Sequence, residues 1–338
     1  LHKIQYQLYL RIYLSYIQAL GTILISMGRE LRRLLERAHI VDVEDCEAIQ
    51  EIFQRHKKKM WIHFAPFLIS YNLPPARSIH MIDIEGSLVL MQVSIRNGIA
   101  RSDLLCTPVP YTDKITHWLT RLPDILGQED IRILWVDEDE VQKLRSQFGE
   151  KLTYGDKGPE YIYEPEKVWR MDGHTFRDIR KRVRRVEKTF PDFMDLSSEH
   201  ISECQELLRK WRSLQGRKNH FLLDWGYTRA ALNKFHRFSA ESLYGWCVKI
   251  KGKVEAFALA GPMTDDTANF FVAKTNPEVP GLSEYLRWKV LGELRAFTYV
   301  NDAGDLGIEG LRQHKMKMRP TELRKTFTAT LMASGPKR

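Results

Sequence analysis

The densest chemistry in this sequence lies near its C-terminal end, in NDAGDLGIEGLRQHKMKMRP from Asn301 to Pro320. Three glycines, Gly304, Gly307 and Gly310, recur at a spacing of three, with acids among them and a run of bases behind. Glycines before a helix can present free amides to a phosphate. Carboxylates at alternate positions can hold calcium. A helix start can also gather an acid and two bases for a charged substrate. The calcium reading fails on spacing, because the acids do not alternate and no glutamate closes the loop. No Gly-x-Ser-x-Gly elbow, Walker loop or His-Glu-x-x-His pair occurs anywhere in the chain. Cys46, Cys106, Cys204 and Cys247 lie far apart, with no Cys-x-x-Cys pair and no histidines at zinc spacing. Reduced structural thiols in a cytoplasmic compartment are expected, and no metal.

A second concentration of charge is FRDIRKRVRRVEK, Phe176 to Lys188. Arg177, Lys181, Arg184, Arg185 and Lys188 recur at steps of three or four. The spacing predicts one broad basic face of a helix, with Phe176, Val183 and Val186 turned inward. The whole chain has 338 residues, a net charge of +9 and a pI near 9.2. That balance favours a polyanionic partner: nucleic acid, an anionic membrane surface or a phosphorylated cofactor. Hydrophobic content of 43% and charged content of 28% are those of an ordinary globular protein. The length suggests two domains at roughly 100–200 residues each. Ile12 to Met27 is mostly apolar but shorter than the roughly 20 residues a spanning helix needs. It is expected to pack on the protein itself or on a second copy, with an interfacial helix as the alternative.

The elements that position these residues can be read from periodicity. VDVEDCEAIQEIFQRH has a helical stripe of Val43, Ala48, Ile49, Ile52 and Phe53. Ser87 to Ile95 and Ile131 to Val136 read as strands, with a helix between them that is expected to stop at Pro123. TYGDKGPEYIYEPEKV, with Gly155, Gly158 and Pro159, marks a domain boundary. Beyond the basic segment come helices over Ile201 to Leu214 and Thr228 to Phe238. A hairpin follows that turns at Lys251 and Gly252, then a third strand in TANFFVAKT. A helix over Pro280 to Phe297, a short strand in TYVN, a helix in DLGIEGLRQHKMK and a strand in TFTATL complete the chain. Two helices, three antiparallel strands, helix, strand, helix, strand is the element order of an acetyltransferase-like (GNAT) fold.

YVNDAGDLGIEGLRQHKMKMRP resembles the signature of the phosphatidylglycerol lysyltransferase C-terminal family, roughly Asn-Arg-Glu-x-Asp-Leu-Gly-x-x-Gly-Leu-Arg-x-x-Lys and then Pro. Asn301, Asp305, Leu306, Gly307, Gly310, Leu311, Arg312, Lys315 and Pro320 match it, while Asp302 and Ala303 stand where the family has Arg and Glu. FFVAKTNPEVPGLSEYL resembles the family's strand ending in Glu-Lys: Lys274 matches the lysine and Ala273 departs from the glutamate. The resemblance covers about residues 40 to 330. It implies an α/β protein of two tandem GNAT-like domains joined by a basic helix. Its divisions would be an N-terminal helix over 1–37, a first domain over 38–160, a linker over 161–190 and a second domain over 191–338. It also implies an aminoacyltransferase that moves an amino acid from aminoacyl-tRNA, its co-substrate, onto a lipid of the phosphatidylglycerol kind or another hydroxyl or amine acceptor. No cofactor is needed, since the ester is already activated.

In that setting Asp305 pairs with the amino acid's ammonium or acts as base. Arg312 and Lys315, on one helix face, suit phosphate or carboxylate. Lys274 at a strand end reaches the same centre. Asn301, Asp302, Glu309 and Tyr163 line the substrate, and the basic face from Arg177 to Lys188 meets tRNA or headgroups. The expected location is cytoplasmic, peripheral at the inner face of a membrane. Two rivals stand beside this reading. A coenzyme-A-dependent N-acyltransferase would want more small residues than Gly281 before its helix. A non-catalytic nucleic-acid or membrane-binding module would have no need of Asp305 and Glu309.

Overall fold

The computed structural model describes residues 34, 36–96, 99–215 and 222–333. The apolar stretch from Ile12 to Met27 lies outside them. Among the described residues no helix is long and apolar enough to cross a membrane. In chain order the first elements are β1 (His39–Ile40), α1 (Cys46–Arg55), α2 (Ala65–Tyr71), β2 (Arg77–Ile84), β3 (Ser87–Arg96) and β4 (Ile99–Cys106). Next come α3 (Asp113–Leu126), β5 (Asp130–Val136), α4 (Glu138–Phe148), β6 (Leu152–Tyr163), α5 (Pro165–Arg170), α6 (Arg177–Glu187) and β7 (Asp192–Asp195). The last are α7 (Ile201–Gln215), α8 (Leu222–Lys234), β8 (Tyr244–Ile250), β9 (Lys253–Pro262), β10 (Thr267–Thr275), α9 (Leu282–Glu293), β11 (Tyr299–Asn301), α10 (Glu309–Lys317) and β12 (Glu322–Met332).

The chain forms two compact units. Of the described residues, the first takes those up to Val41, Asn72–Gly155 and those from Thr328; the second takes those in Asp42–Tyr71 and Asp156–Phe327. The chain changes unit at Gly155, inside the stretch read as a boundary. That stretch is no loop, however, but the middle of β6. Residues 42–71, expected with the first half, pack in the second unit.

In the first unit β1 to β4 are antiparallel neighbours and β5 pairs parallel to β4 through α3. β2 and β4 escape a sequence reading because burial does not alternate along either: it is irregular in β2, and in β4 it falls wholly on Asp103 to Cys106. Helix α3 is capped by Thr112, whose side chain accepts from the Ile115 N–H, and ends on left-handed Gly127. It runs through Pro123 to Leu126. In the last turn a proline forfeits a single N–H, and buried Leu122 and Pro123 keep that turn packed.

In the second unit the strand order is β12-β6-β11-β10-β9-β8-β7. The β8–β9 hairpin turns through Lys251 and Gly252, both at positive φ (51° and 76°), as a two-residue turn that follows the twist of its strands requires. The expected helix and strand order is present, preceded by the short β7. The basic helix is α6, and it is built into this unit. Ile179, Val183 and Val186 lie in one core with Phe270, Leu286 and Val290. Gly261 and Gly292 permit close approaches. A Cβ on the first would stand 2.4 Å from the Ser242 carbonyl oxygen, and on the second 2.4 Å from the Trp169 ring.

Candidate active site

The site begins where two strands part. β10 and β11 are parallel neighbours for three residue pairs only, from Thr267–Tyr299 to Asn269–Asn301. β10 continues along β9 to Thr275, bulging between Phe270 and Val272. The chain beyond β11 stays with β6 instead: the Asp302 N–H donates to the Tyr161 carbonyl at 2.9 Å, and the Tyr161 N–H to that of Ala303 at 3.0 Å. The charged groups of the C-terminal signature gather on this diverging segment.

Asn301 and Asp302 form its floor. The Asn301 amide donates to Glu160 Oε2 at 2.6 Å and to the Lys59 carbonyl at 3.2 Å. Burial pushes the Glu160 carboxyl up to about 7, against the hydrogen bonds from Asn301 and the Trp61 N–H. Asp302 receives a forked pair from Arg287, Nε and Nη2 each at 3.1 Å, and its Oδ1 lies 3.6 Å from Lys315 Nζ. Lys315 also donates to the carbonyls of Asp302 and Ala303. Burial lowers its ammonium to about 8, with Asp302 pulling the other way. The Tyr163 hydroxyl donates to the Lys315 carbonyl at 3.0 Å.

Asp305 stands at the turn above this floor. Leu306 and Gly307 both take positive φ (57° and 69°), and the Ile308 N–H closes the turn on the Asp305 carbonyl at 2.9 Å. The α10 N-cap is Ile308, so Asp305 is free of the helix-capping role that its place in the sequence suggests. Its carboxylate accepts from the Gly307 N–H at 2.9 Å, the Tyr161 hydroxyl at 2.6 Å and Arg312 Nε at 3.1 Å. Burial would raise this carboxyl. The bonds from Tyr161, Gly307 and Arg312 outweigh burial and hold it below its ordinary value. Arg312 keeps 52% of its side chain exposed, and Glu309 at the rim is more exposed still.

The structure therefore brings Asn301, Asp302, Asp305, Arg312 and Lys315 together. Asn301, Asp302, Lys315 and Tyr163 are buried and committed to neighbours, so they shape the segment; Asp305 is buried too, and the Arg312 it holds is the half-exposed partner. Lys274 has different company. Its Nζ lies 2.5 Å from Asp224 Oδ2 and 4.3 Å from the centre of the Trp211 ring. Tyr227 stands beside Asp224. Burial, a hydrogen bond to Asp224 and the charge of Asp302 hold its phenol well above the ordinary range. Its ring belongs to an aromatic wall with Trp61, Phe67 and Phe271.

Glu160, Arg287, Asp224 and Tyr227 were not singled out by sequence reasoning. Two signals were present: Arg287 interrupts the apolar LSEYLRWKVLGE, and Asp224 and Tyr227 stand three apart on α8. The α6 bases Arg177, Lys181, Arg184, Arg185 and Lys188 are exposed, apart from this cluster of contacts.

Residues 72–330 match the family model described as phosphatidylglycerol lysyltransferase, C-terminal. The chain belongs to this family. It is a GNAT-like α/β protein of the acyltransferase class. A conserved protein of unknown function from Bacteroides thetaiotaomicron superposes with a TM-score of 0.73 at 19% identity, over 87% of this chain and 99% of that one. The C-terminal domain of a protein named as a lysylphosphatidylglycerol synthetase from Agrobacterium fabrum gives 0.59 at 15%, over 85% and 91%. FemX gives 0.55 at 11%, over 88% and 98%. At these identities the likeness is one of fold. No curated protein matches the chain.

Proposed function

We propose that this protein moves an amino acid from aminoacyl-tRNA to a hydroxyl or amine of an acceptor of the phosphatidylglycerol kind, by direct attack on the ester and without a cofactor. The observation that carries the reading is the state of Asp305. A carboxylate fixed by three donors and held below its ordinary value is a poor proton acceptor and a lasting anion. It suits the ammonium of an aminoacyl group better than it suits the role of base. Arg312, fixed through Nε to the same carboxylate, turns an exposed guanidinium outward for a phosphate. Lys274 supplies positive charge for the developing oxyanion, and the α6 bases contact tRNA or headgroups.

The acceptor oxygen bonds to the ester carbonyl carbon, the bond from that carbon to the ribose oxygen breaks, and the acceptor proton ends on the ribose oxygen. The neighbouring ribose hydroxyl relays that proton, so no protein base is required. Alignment of the two substrates supplies most of the acceleration.

A coenzyme A donor fits less well. The pyrophosphate of such a donor would need the N-terminus of α9. There Gly281 lets α6 pack in directly, with the Arg182 carbonyl oxygen 2.9 Å from where a Cβ would be. The test offers the purified protein labelled aminoacyl-tRNAs with a lipid extract and, separately, labelled acetyl-coenzyme A. Label is expected in lipid from the first donor, with Asp305→Ala lowering transfer about a hundredfold. Label moving only from coenzyme A would overturn the reading.

A further inference from the structure

Helix α6 has more cation than its packing uses. At 3.6 residues per turn, Arg177, Lys181, Arg184, Arg185 and Lys188 fall within an arc of about 100° along about 16 Å of helix. They lie opposite the buried Ile179, Val183 and Val186. All five are exposed, and none has an ion-pair partner among the described residues. The remaining two bases of the helix are engaged: Arg180 bonds the Met171 carbonyl, and Arg182 lies 3.4 Å from Glu284.

The end of this helix is equally unusual. The Thr189 N–H returns to the Val186 carbonyl and the Phe190 N–H to that of Glu187, which closes the helix on Phe190 at φ 53°. Glycine takes that left-handed closing position without strain. Here a phenylalanine takes it, 89% exposed and with no ring contact among the described residues. Phe190 thus costs the fold backbone strain and bare apolar surface, and adds nothing to the core. Three residues on, Phe193 packs partly buried against the core of the same unit, as does Trp288. Lys289 Nζ lies 5.9 Å from the Phe193 ring and 5.0 Å from that of half-buried Trp288.

We propose that this corner of the second unit docks on an anionic lipid bilayer, with the α6 stripe on headgroup phosphates and Phe190 inserted at the acyl boundary. Seven bases against three acids between Arg177 and Phe193 supply the charge complementarity. An exposed phenylalanine closing a basic helix is a composition found at membrane interfaces. A base-stacking platform would hold its ring flat among others, and Phe190 stands by itself. The inference rests on the lipid half of the proposed function and assigns it a surface.

The test is sedimentation of the intact chain with phosphatidylcholine vesicles, with and without phosphatidylglycerol, alongside binding of labelled tRNA. The parent is expected to bind only anionic vesicles, and less with added salt. Phe190→Ser lowers vesicle affinity about tenfold and leaves tRNA binding unchanged. Phe190→Gly lowers it equally yet raises the melting temperature, because glycine relieves the strain; a merely structural role would not separate the two readouts. Variants that bind vesicles like the parent, or that lose tRNA binding to the same degree, overturn the proposal. Transfer to detergent-dispersed lipid needs no docking and is unchanged in Phe190→Ser. A parent chain that transfers nothing there but binds vesicles through Phe190 retires the enzymatic reading and keeps the docking surface.

Discussion

The triad of Asp302, Arg287 and Lys315 makes a quantitative prediction about the floor of the site. All three are buried, and one carboxylate offsets two cations. Asp302→Asn keeps the shape and removes that charge. Breaking a buried ion pair from one side costs about 3–5 kcal/mol, because the remaining charge stays buried and unpaired. Lys315 makes the cost depend on pH. In the parent its ammonium is lowered from 10.5 to about 8 by burial. Folding therefore releases its proton between those values, and stability rises with pH across that window by about 3 kcal/mol. Without Asp302 the strongest attraction on that ammonium is gone, so the variant's Lys315 gives up its proton below pH 8, where the parent's keeps it. The stability deficit is then about 3–5 kcal/mol near pH 6 and smaller by about 1 kcal/mol or more near pH 8.5. Urea denaturation followed by tryptophan fluorescence at both pH values measures it. A deficit below about 1 kcal/mol near pH 6 would refute the triad as a stabilising unit. An equal deficit at both pH values would refute the share given to Lys315.

Glu160 titrates in the opposite sense. Its folded value of about 7 lies above the ordinary 4.5, so its contribution is complete below 4.5 and is lost as pH rises through 7. Glu160→Gln should flatten the fall in stability between about pH 4.5 and 7, as read by thermal melts. Replacing Lys274 and Asp224 together by Met and Leu leaves no buried charge unpaired but takes the partner from the buried Tyr227 hydroxyl, so it should cost about 1–3 kcal/mol. The same variant should lose transfer about a hundredfold if Lys274 acts on the substrate; full activity would remove it from the centre. Gly261→Ala drives a methyl against the Ser242 carbonyl and the Phe64 ring. Calorimetry should show a loss of about 1–3 kcal/mol or more.

Much of the local structure was legible because local physics decides it. The Lys251–Gly252 turn, the apolar stripe of α6 and the turn through Leu306 and Gly307 each rest on residues close in sequence. The sequence by itself also determined the family, through Asn301, Asp305, Gly307, Gly310, Arg312 and Lys315, and it placed an acid and two bases at one helix start. Only the tertiary structure decided what those groups do to one another. Glu160 and Arg287 became partners of Asn301 and Asp302 because β6 and α9 pack there, across 141 and 15 residues of chain. Asp305 became a fixed anion because a tyrosine 144 residues away donates to it. Lys315, which on sequence looks like a second outward base, is buried because the chain after β11 folds back over it. Hydrogen bonding and desolvation act through space, and their strength depends on burial that spacing along a chain does not record.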